Sequence, residues 1–345
     1  MPTKLDDIRK QEIEALTRAI ELNPNDAAPY IARGEFYHDL DDYPKAIEDW
    51  TRAIEIDPDD AEAYQKRAES YSCLGDHAKE IEDWTRVIEI DPDNIEAYGE
   101  RANSYYFLRN YPKAIADYTR AIEIDPNDKY AYDSRGRSYF YFHDYPNAIA
   151  DWTRVIEIDP DETSAYDDRG RAYAKLGDYP KAFADFARYI EIYPDDEWVY
   201  ESRGKLYMEL RDYPKAIEDF TRAIELWRGN EQFYHRRGRA YGRLGDHEKA
   251  IEDFTRAIEL DPHDELSYDY RSRAYVKLGD HAKAIADFTR LIEIDPNDKY
   301  AYYFRGNSYL ALRDLKNATL DARKACELGS CALLKSMEEN GEVCD

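Results

Sequence analysis

Residues 43–58 read YPKAIEDWTRAIEIDP. Ala46, Ile47, Trp50, Ala53 and Ile54 fall at i, i+1, i+4, i+7 and i+8, which is one face of a helix. Pro44 sits in that helix's first turn, where a missing N–H costs nothing. The closing Pro58 belongs to a series, Pro24, Pro58, Pro92, Pro126, Pro160 and Pro194, each 34 residues from the next. After a gap at Arg228 the series resumes in phase at Pro262 and Pro296. A period of that length signals a solenoid.

Numbering slots 1 to 34 from Ala27 gives nine blocks: 27–60, 61–94, 95–128, 129–162, 163–196, 197–230, 231–264, 265–298 and 299–332. Tyr occupies slots 4 (Tyr30 through Tyr302) and 11 (Tyr37 through Tyr309) in all nine, eighteen of the 32 tyrosines, so the aromatic excess is structural. Slots 4, 7, 8 and 11 hold Tyr, Arg, a small residue and Tyr, the face of a first helix. The stripe in 43–58 is the second helix, packed against it. Asp or Asn at slot 34 in most blocks stands where the next first helix needs its N-cap.

Tyr at slots 4 and 11, Gly or Ala at 8, Ala at 20, an aromatic at 24, usually Ala at 27 and Pro at 32 resemble the tetratricopeptide repeat of the bacterial type. The resemblance covers nearly the whole chain. It implies an all-α fold, a right-handed superhelical solenoid of antiparallel helix pairs whose first helices line a concave groove for a partner's peptide. Departures are local. Slot 20 of the second block is Glu80, slot 24 of the ninth is Ala322, slot 27 becomes Val87, Val155, Tyr189 or Leu291, and slot 32 lacks Pro at Arg228 and Ser330.

The stretch IELWRGNEQFYHRRGRAYGR (224–243) is the most irregular in the chain. Gly229 stands where a helix-stopping residue is needed and Asn230 in the capping slot, so the turn survives and no domain boundary is expected. Residues 1–26 read as a half-repeat cap and 27–332 as the nine repeats. Residues 333–345 read as a capping helix and tail, the helix drawn from CALLKSMEEN (331–340).

A formal net charge of −26 argues against general affinity for nucleic acid or anionic membranes. No apolar run is long enough to cross a bilayer, and MPTKLDDIRKQEIEAL lacks a signal-peptide core, which points to the cytoplasm. Cys73, Cys326, Cys331 and Cys344 form neither a dense framework nor a paired CxxC set, so reduced thiols are expected, with no metal site and no cofactor. There is no GxxxxGK[ST], HExxH, GxSxG or GxGxxG motif. His77, His247 and His281 replace Tyr at slot 17, a packing position. The chain reads as a non-enzyme.

Function then sits where blocks differ. By the resemblance, slots 2, 5, 6, 9, 12 and 13 face the groove. Blocks one to three place Glu35, Asp39, Glu62, Glu69, Glu96 and Glu100 there, and aromatics follow: Tyr106, Phe107, Tyr130, Phe140, Tyr141 and Trp198. Slot 9 runs Arg137, Arg171, Lys205, Arg239, Arg273, reinforced by Lys175, His235, Arg236, Arg243 and Lys277. One reading is a groove that binds an acidic extended segment of a partner protein through these cations and the aromatics Tyr106, Tyr130, Phe140, Tyr141 and Trp198. The other is that the cations offset neighbouring acids such as Asp133, Asp167, Asp168, Glu201 and Glu209. The family's chaperone-tail clamp is not matched by any triplet of blocks.

Arg at slot 7 (Arg33 through Arg305) and Asp at slot 23 (Asp49 through Asp321) recur in every block whatever the groove carries, which predicts a repeated interhelical ion pair. A second class of function is a self-assembling module, a possible homo-oligomer using Tyr300, Tyr303, Phe304 and the C-terminal helix.

Overall fold

The computed structural model describes residues 4–344. The first three residues of the expected N-terminal cap and the last residue of the expected tail lie outside them. The described residues form helices and turns, with no strand, and group into two compact units, 1–185 and 186–345.

The first unit contains α1 (Lys4–Leu22), α2 (Ala28–Asp39), α3 (Tyr43–Ile56), α4 (Ala61–Cys73), α5 (His77–Ile90), α6 (Ile95–Phe107), α7 (Tyr111–Ile124), α8 (Lys129–Tyr141), α9 (Tyr145–Ile158) and α10 (Thr163–Lys175). The division falls within α11 (Tyr179–Ile192). The second unit continues with α12 (Glu197–Glu209), α13 (Tyr213–Leu226), α14 (Glu231–Leu244), α15 (His247–Leu260), α16 (Glu265–Lys277), α17 (His281–Ile294), α18 (Lys299–Ala311), α19 (Leu315–Glu327) and α20 (Ala332–Glu339). Within each unit every helix packs on the one before it, as the two stripes per period require.

Slot 15 separates the two helices of a pair and has positive φ in all nine blocks, whether the residue is Gly (Gly75, Gly177, Gly245, Gly279) or not (Asp41, Arg109, His143, Arg211, Arg313). The next N–H then donates to the slot 11 tyrosine carbonyl, as in Asp42 to Tyr37 at 2.8 Å and Asp314 to Tyr309 at 2.9 Å. This is the Schellman closure, which satisfies an orphan carbonyl at a helix end. The same Asp caps the second helix in most pairs, Asp76 accepting from the Lys79 N–H for example.

The core follows slot 24. Trp50, Trp84, Tyr118, Trp152, Phe186, Phe220, Phe254 and Phe288 are all essentially sealed from solvent. Each lies under a small slot 8 residue: a Cβ on Gly204 would stand 2.7 Å from the Phe220 ring. The ninth pair has Ala322 in place of that aromatic, and Leu333 of α20 fills the space. A Cβ on Gly306 would meet Leu333 Cδ2 at 2.7 Å, and Met337 beside it is fully buried. The C-terminal helix is thus a lid that supplies a missing core residue. Glu80, the acid in an alanine slot, is buried and turns back on His77, whose Nδ1 is 2.8 Å from its carboxylate.

The arginine series does form ion pairs. All nine slot 7 guanidinium groups approach their slot 23 Asp to 2.6–2.8 Å, each Asp being buried. Eight of them use Nη1 as well, donating at 2.9–3.1 Å to a Thr hydroxyl on the preceding second helix. That Thr donates its own hydrogen to the carbonyl four residues back, as Thr51 does to Ile47, leaving a lone pair for the arginine.

The cysteine expectation is corrected. Cys326 and Cys331 are joined in a disulfide across the turn between α19 and α20, while Cys73 and Cys344 are free. Spacing alone hid this, because the turn brings the ends of two helices together.

Candidate functional site

In the first unit the expected groove residues gather on α6, α8 and α10. Tyr106 is half-buried, with its ring 5.7 Å from Tyr111 and 5.8 Å from Tyr141, and burial pushes its phenol up to about 12. Tyr130 is exposed and its hydroxyl accepts from Asn103 Nδ2 at 2.8 Å. Arg137 lies 3.1 Å from Asp133 and 3.5 Å from Asp168. Arg171 lies 3.2 Å from Asp168 and 3.7 Å from Asp167, with its guanidinium 5.5 Å from the Phe140 ring centre. Asp168 therefore serves two arginines, and its burial, with Asp167 nearby, raises its carboxyl to about 6 even though Arg137 and Arg171 pull the other way. Lys175, at the end of α10, has no ion-pair partner among the described residues.

In the second unit Trp198 is nearly half exposed, 6.0 Å from Trp227 and 5.4 Å from Phe233. Trp227 follows α13 in extended backbone, and its Nε1 lies 3.0 Å from where a Cβ on Gly229 would stand. Asn230 accepts from the Gln232 N–H at 2.9 Å, so the turn that lost its Pro is built from an indole over glycine and an Asn cap.

The cations of this unit divide into two sets. Lys205 is paired with Glu201, and Arg236 Nε lies 2.6 Å from the same carboxylate, a close ion pair without hydrogen-bond alignment. Glu201 is buried, so two charges on two helices neutralise one desolvated acid. Arg273 is bound to Asp269 at 2.9 Å and lies 4.8 Å from the Phe304 ring centre. Arg239, Arg243 and Lys277 have no carboxylate partner among the described residues. Arg239 instead lies 5.2 Å from the ring centre of Tyr270, which stacks on buried Phe254 at 5.6 Å.

His235 does not join the basic stripe. It is buried, its Nδ1 is 2.8 Å from Ser267 Oγ, and burial pushes it down to about 4, so it is a neutral spacer between α14 and α16 at physiological pH. Its ring packs against Phe254 and Tyr270, so it lines the depression beside Arg236 and Arg239 without adding charge to it.

Three adjoining depressions of about 270, 270 and 360 Å3 share Arg239 as a lining residue. Tyr270 and Gly242, which shape one of them, were not singled out in the sequence. Of the residues considered for self-association, Tyr300 is exposed, while Phe304 stacks on Phe288 at 5.9 Å and Tyr303 packs into the cluster under α20. No helix among the described residues is long and apolar enough to cross a membrane.

Stacked helix hairpins joined by recurrent arginine clamps define an α-helical repeat protein. Tetratricopeptide repeat models match residues 15–48, 34–75, 61–94, 95–128, 136–201, 199–227, 232–264 and 273–312. The chain belongs to the tetratricopeptide repeat family. The C-terminal part of a TPR repeat-containing protein from Cytophaga hutchinsonii is 20% identical, with a TM-score of 0.58, covering 66% of this chain and 94% of that one. YrrB, described as a TPR protein with an unusual peptide-binding site, is 24% identical over 55% of this chain and 98% of its own, with a TM-score of 0.49. Yeast Tom70 is 14% identical over 98% and 92%, with a TM-score of 0.49. No curated protein matches the chain.

Proposed function

We propose that this protein is a non-catalytic interaction scaffold that holds an extended, acidic segment of a partner protein against α14 and α16. The observation that carries this reading is the unpartnered state of Arg239, Arg243 and Lys277 in a chain of net charge −26. With 74 acidic side chains available, cations left without one are electrostatically unspent, and a guanidinium supported on an aromatic ring is oriented to receive a carboxylate. Lys205 and Arg236 are already engaged by Glu201 and position the surface rather than dock the partner, and Arg137 and Arg171 are engaged by acids of their own unit. Trp198, nearly half exposed in the same unit as α14 and α16, is accessible enough to extend the contact.

The test is capture of acidic peptides by the full chain and by an Arg239→Glu/Arg243→Glu variant. Loss of capture with an unchanged melting temperature supports the reading. Equal capture by both proteins sinks it.

A further inference from the structure

Resting on that reading, the depression beneath Arg239 and Arg243 carries a more specific inference. Its floor is apolar: Ala250 and Phe254 of α15 are buried, with Ala274 and the Tyr270 ring beside them. Its rim is cationic on two sides, Arg239 and Arg243 from α14 and Arg273 and Lys277 from α16. Residues four apart on a helix lie one above the other, so each side presents two positive charges about one turn apart.

The space exists because slot 12 of this block is Gly242. The other blocks carry His38, Ser72, Tyr106, Phe140, Ala174, Met208, Val276 and Leu310 there, so glycine occurs at this slot once. A Cβ on Gly242 would rest at ordinary contact distance, 3.9 Å, from Ala250 Cβ, and a longer side chain would occupy the depression. Gly242 has helical backbone, so substitution brings no conformational strain.

We infer that this depression takes one apolar side chain of the partner segment, flanked on both sides by carboxylates, with Gly242 setting the room for it. A purely acidic stretch would leave the floor wetted and unused, and a purely apolar one would strand the rim charges. At about 270 Å3 the depression suits one side chain rather than a drug-sized ligand. The flanking acids meet Arg239 and Arg243 on one side and Lys277 on the other, Arg273 being partly satisfied by Asp269.

The test uses three labelled peptides with identical Gly/Ser ends: centre Glu-Glu-Leu-Glu-Glu, the same with Ala for Leu, and the same with Gln for every Glu. Their affinity for the full chain is read by fluorescence anisotropy. The Leu peptide is expected to bind about tenfold tighter than the Ala peptide, the usual discrimination of an apolar pocket for a few carbons. Replacing Glu by Gln lowers affinity further. Gly242→Leu abolishes the Leu-over-Ala preference and keeps the Glu-over-Gln preference, which a change in overall fold would not do. Equal binding of Leu and Ala peptides, with Glu still required, overturns the anchor while leaving the acidic-segment reading intact. Failure of all three peptides to bind overturns both.

Discussion

Arg203 holds Asp219 through two parallel hydrogen bonds of 2.9 and 2.7 Å, and it does so without the threonine that steadies every other arginine of its series. The residue at that place is Ala187. The guanidinium side chain is correspondingly looser, 25% exposed against 15–18% for its eight counterparts. Ala187→Thr is therefore expected to stabilise the protein by about 0.5–1.5 kcal/mol, and Thr221→Ala to destabilise it by a similar amount. Urea titration followed by far-ultraviolet dichroism measures both, and a neutral or opposite response at both positions would reject the clamp.

The buried carboxylates make the opposite half of the clamp more costly to break. Arg237→Met leaves Asp253 buried without a counter-charge and is expected to cost about 3–5 kcal/mol. Arg237→Met/Asp253→Leu is expected to recover most of that loss, since replacing both charges by apolar groups removes the desolvation cost as well. A double variant as unstable as the single one would show that packing, not charge, sets the penalty.

Slot 15 offers a contrast of sign. Arg109 has φ of 57°, a conformation that disfavours a side chain, and Gly177 has φ of 79°. Arg109→Gly is expected to raise stability by about 1 kcal/mol and Gly177→Ala to lower it by a comparable amount. Calorimetric melting of the pair of variants decides the matter, because a solvent-exposure effect would not invert between the two.

Charge reversal should separate docking cations from structural ones. Arg243→Glu is expected to leave the melting temperature within about 2 °C of wild type. Arg236→Glu places a second carboxylate against buried Glu201 and is expected to lower stability by several kcal/mol, about 3 or more. If the two variants melt alike, the division between engaged and unengaged cations is wrong.

Asp168 gives the protein a pH dependence of known sign. Its carboxyl titrates at about 6 in the folded chain and at about 3.9 when unfolded, so the folded state favours the proton. Its stabilising share is full below about pH 4 and is lost as pH rises through about 6, a change of about 3 kcal/mol. Asp168→Asn, permanently neutral, lacks this loss, so the stability of the wild type relative to this variant should fall between pH 4 and 7. A difference that stays flat across that range would refute the assignment.

The fold was readable because the pattern repeats. Tyr30 and Tyr37, or Ala46 and Trp50, mean little alone, but their recurrence fixes which faces meet, and the Arg33–Asp49 pairing followed from recurrence too. What stayed hidden depends on contacts that no period encodes. Leu333 replaces the aromatic missing at Ala322 from beyond the last block, and the Cys326–Cys331 bond joins slots 28 and 33 of the ninth block, where no other block carries cysteine. The site was half legible. Slot position located the cations, but whether each was engaged depended on unrepeated acids such as Asp133, Asp168 and Glu201. Its apolar floor was invisible because Gly242 announces itself only by the volume it leaves empty.

Because eight of the nine clamping guanidinium groups reach back to a hydroxyl on the preceding second helix, the order of each hairpin so linked is coupled to that of the helix behind it. Melting in such an array travels as a front, advancing link by link and pausing where links are strong. At Arg203 one strand of that linkage is absent, so amide protons of α12 should exchange with solvent sooner than those of α14 and α16, making this hairpin the place where the second unit begins to come undone.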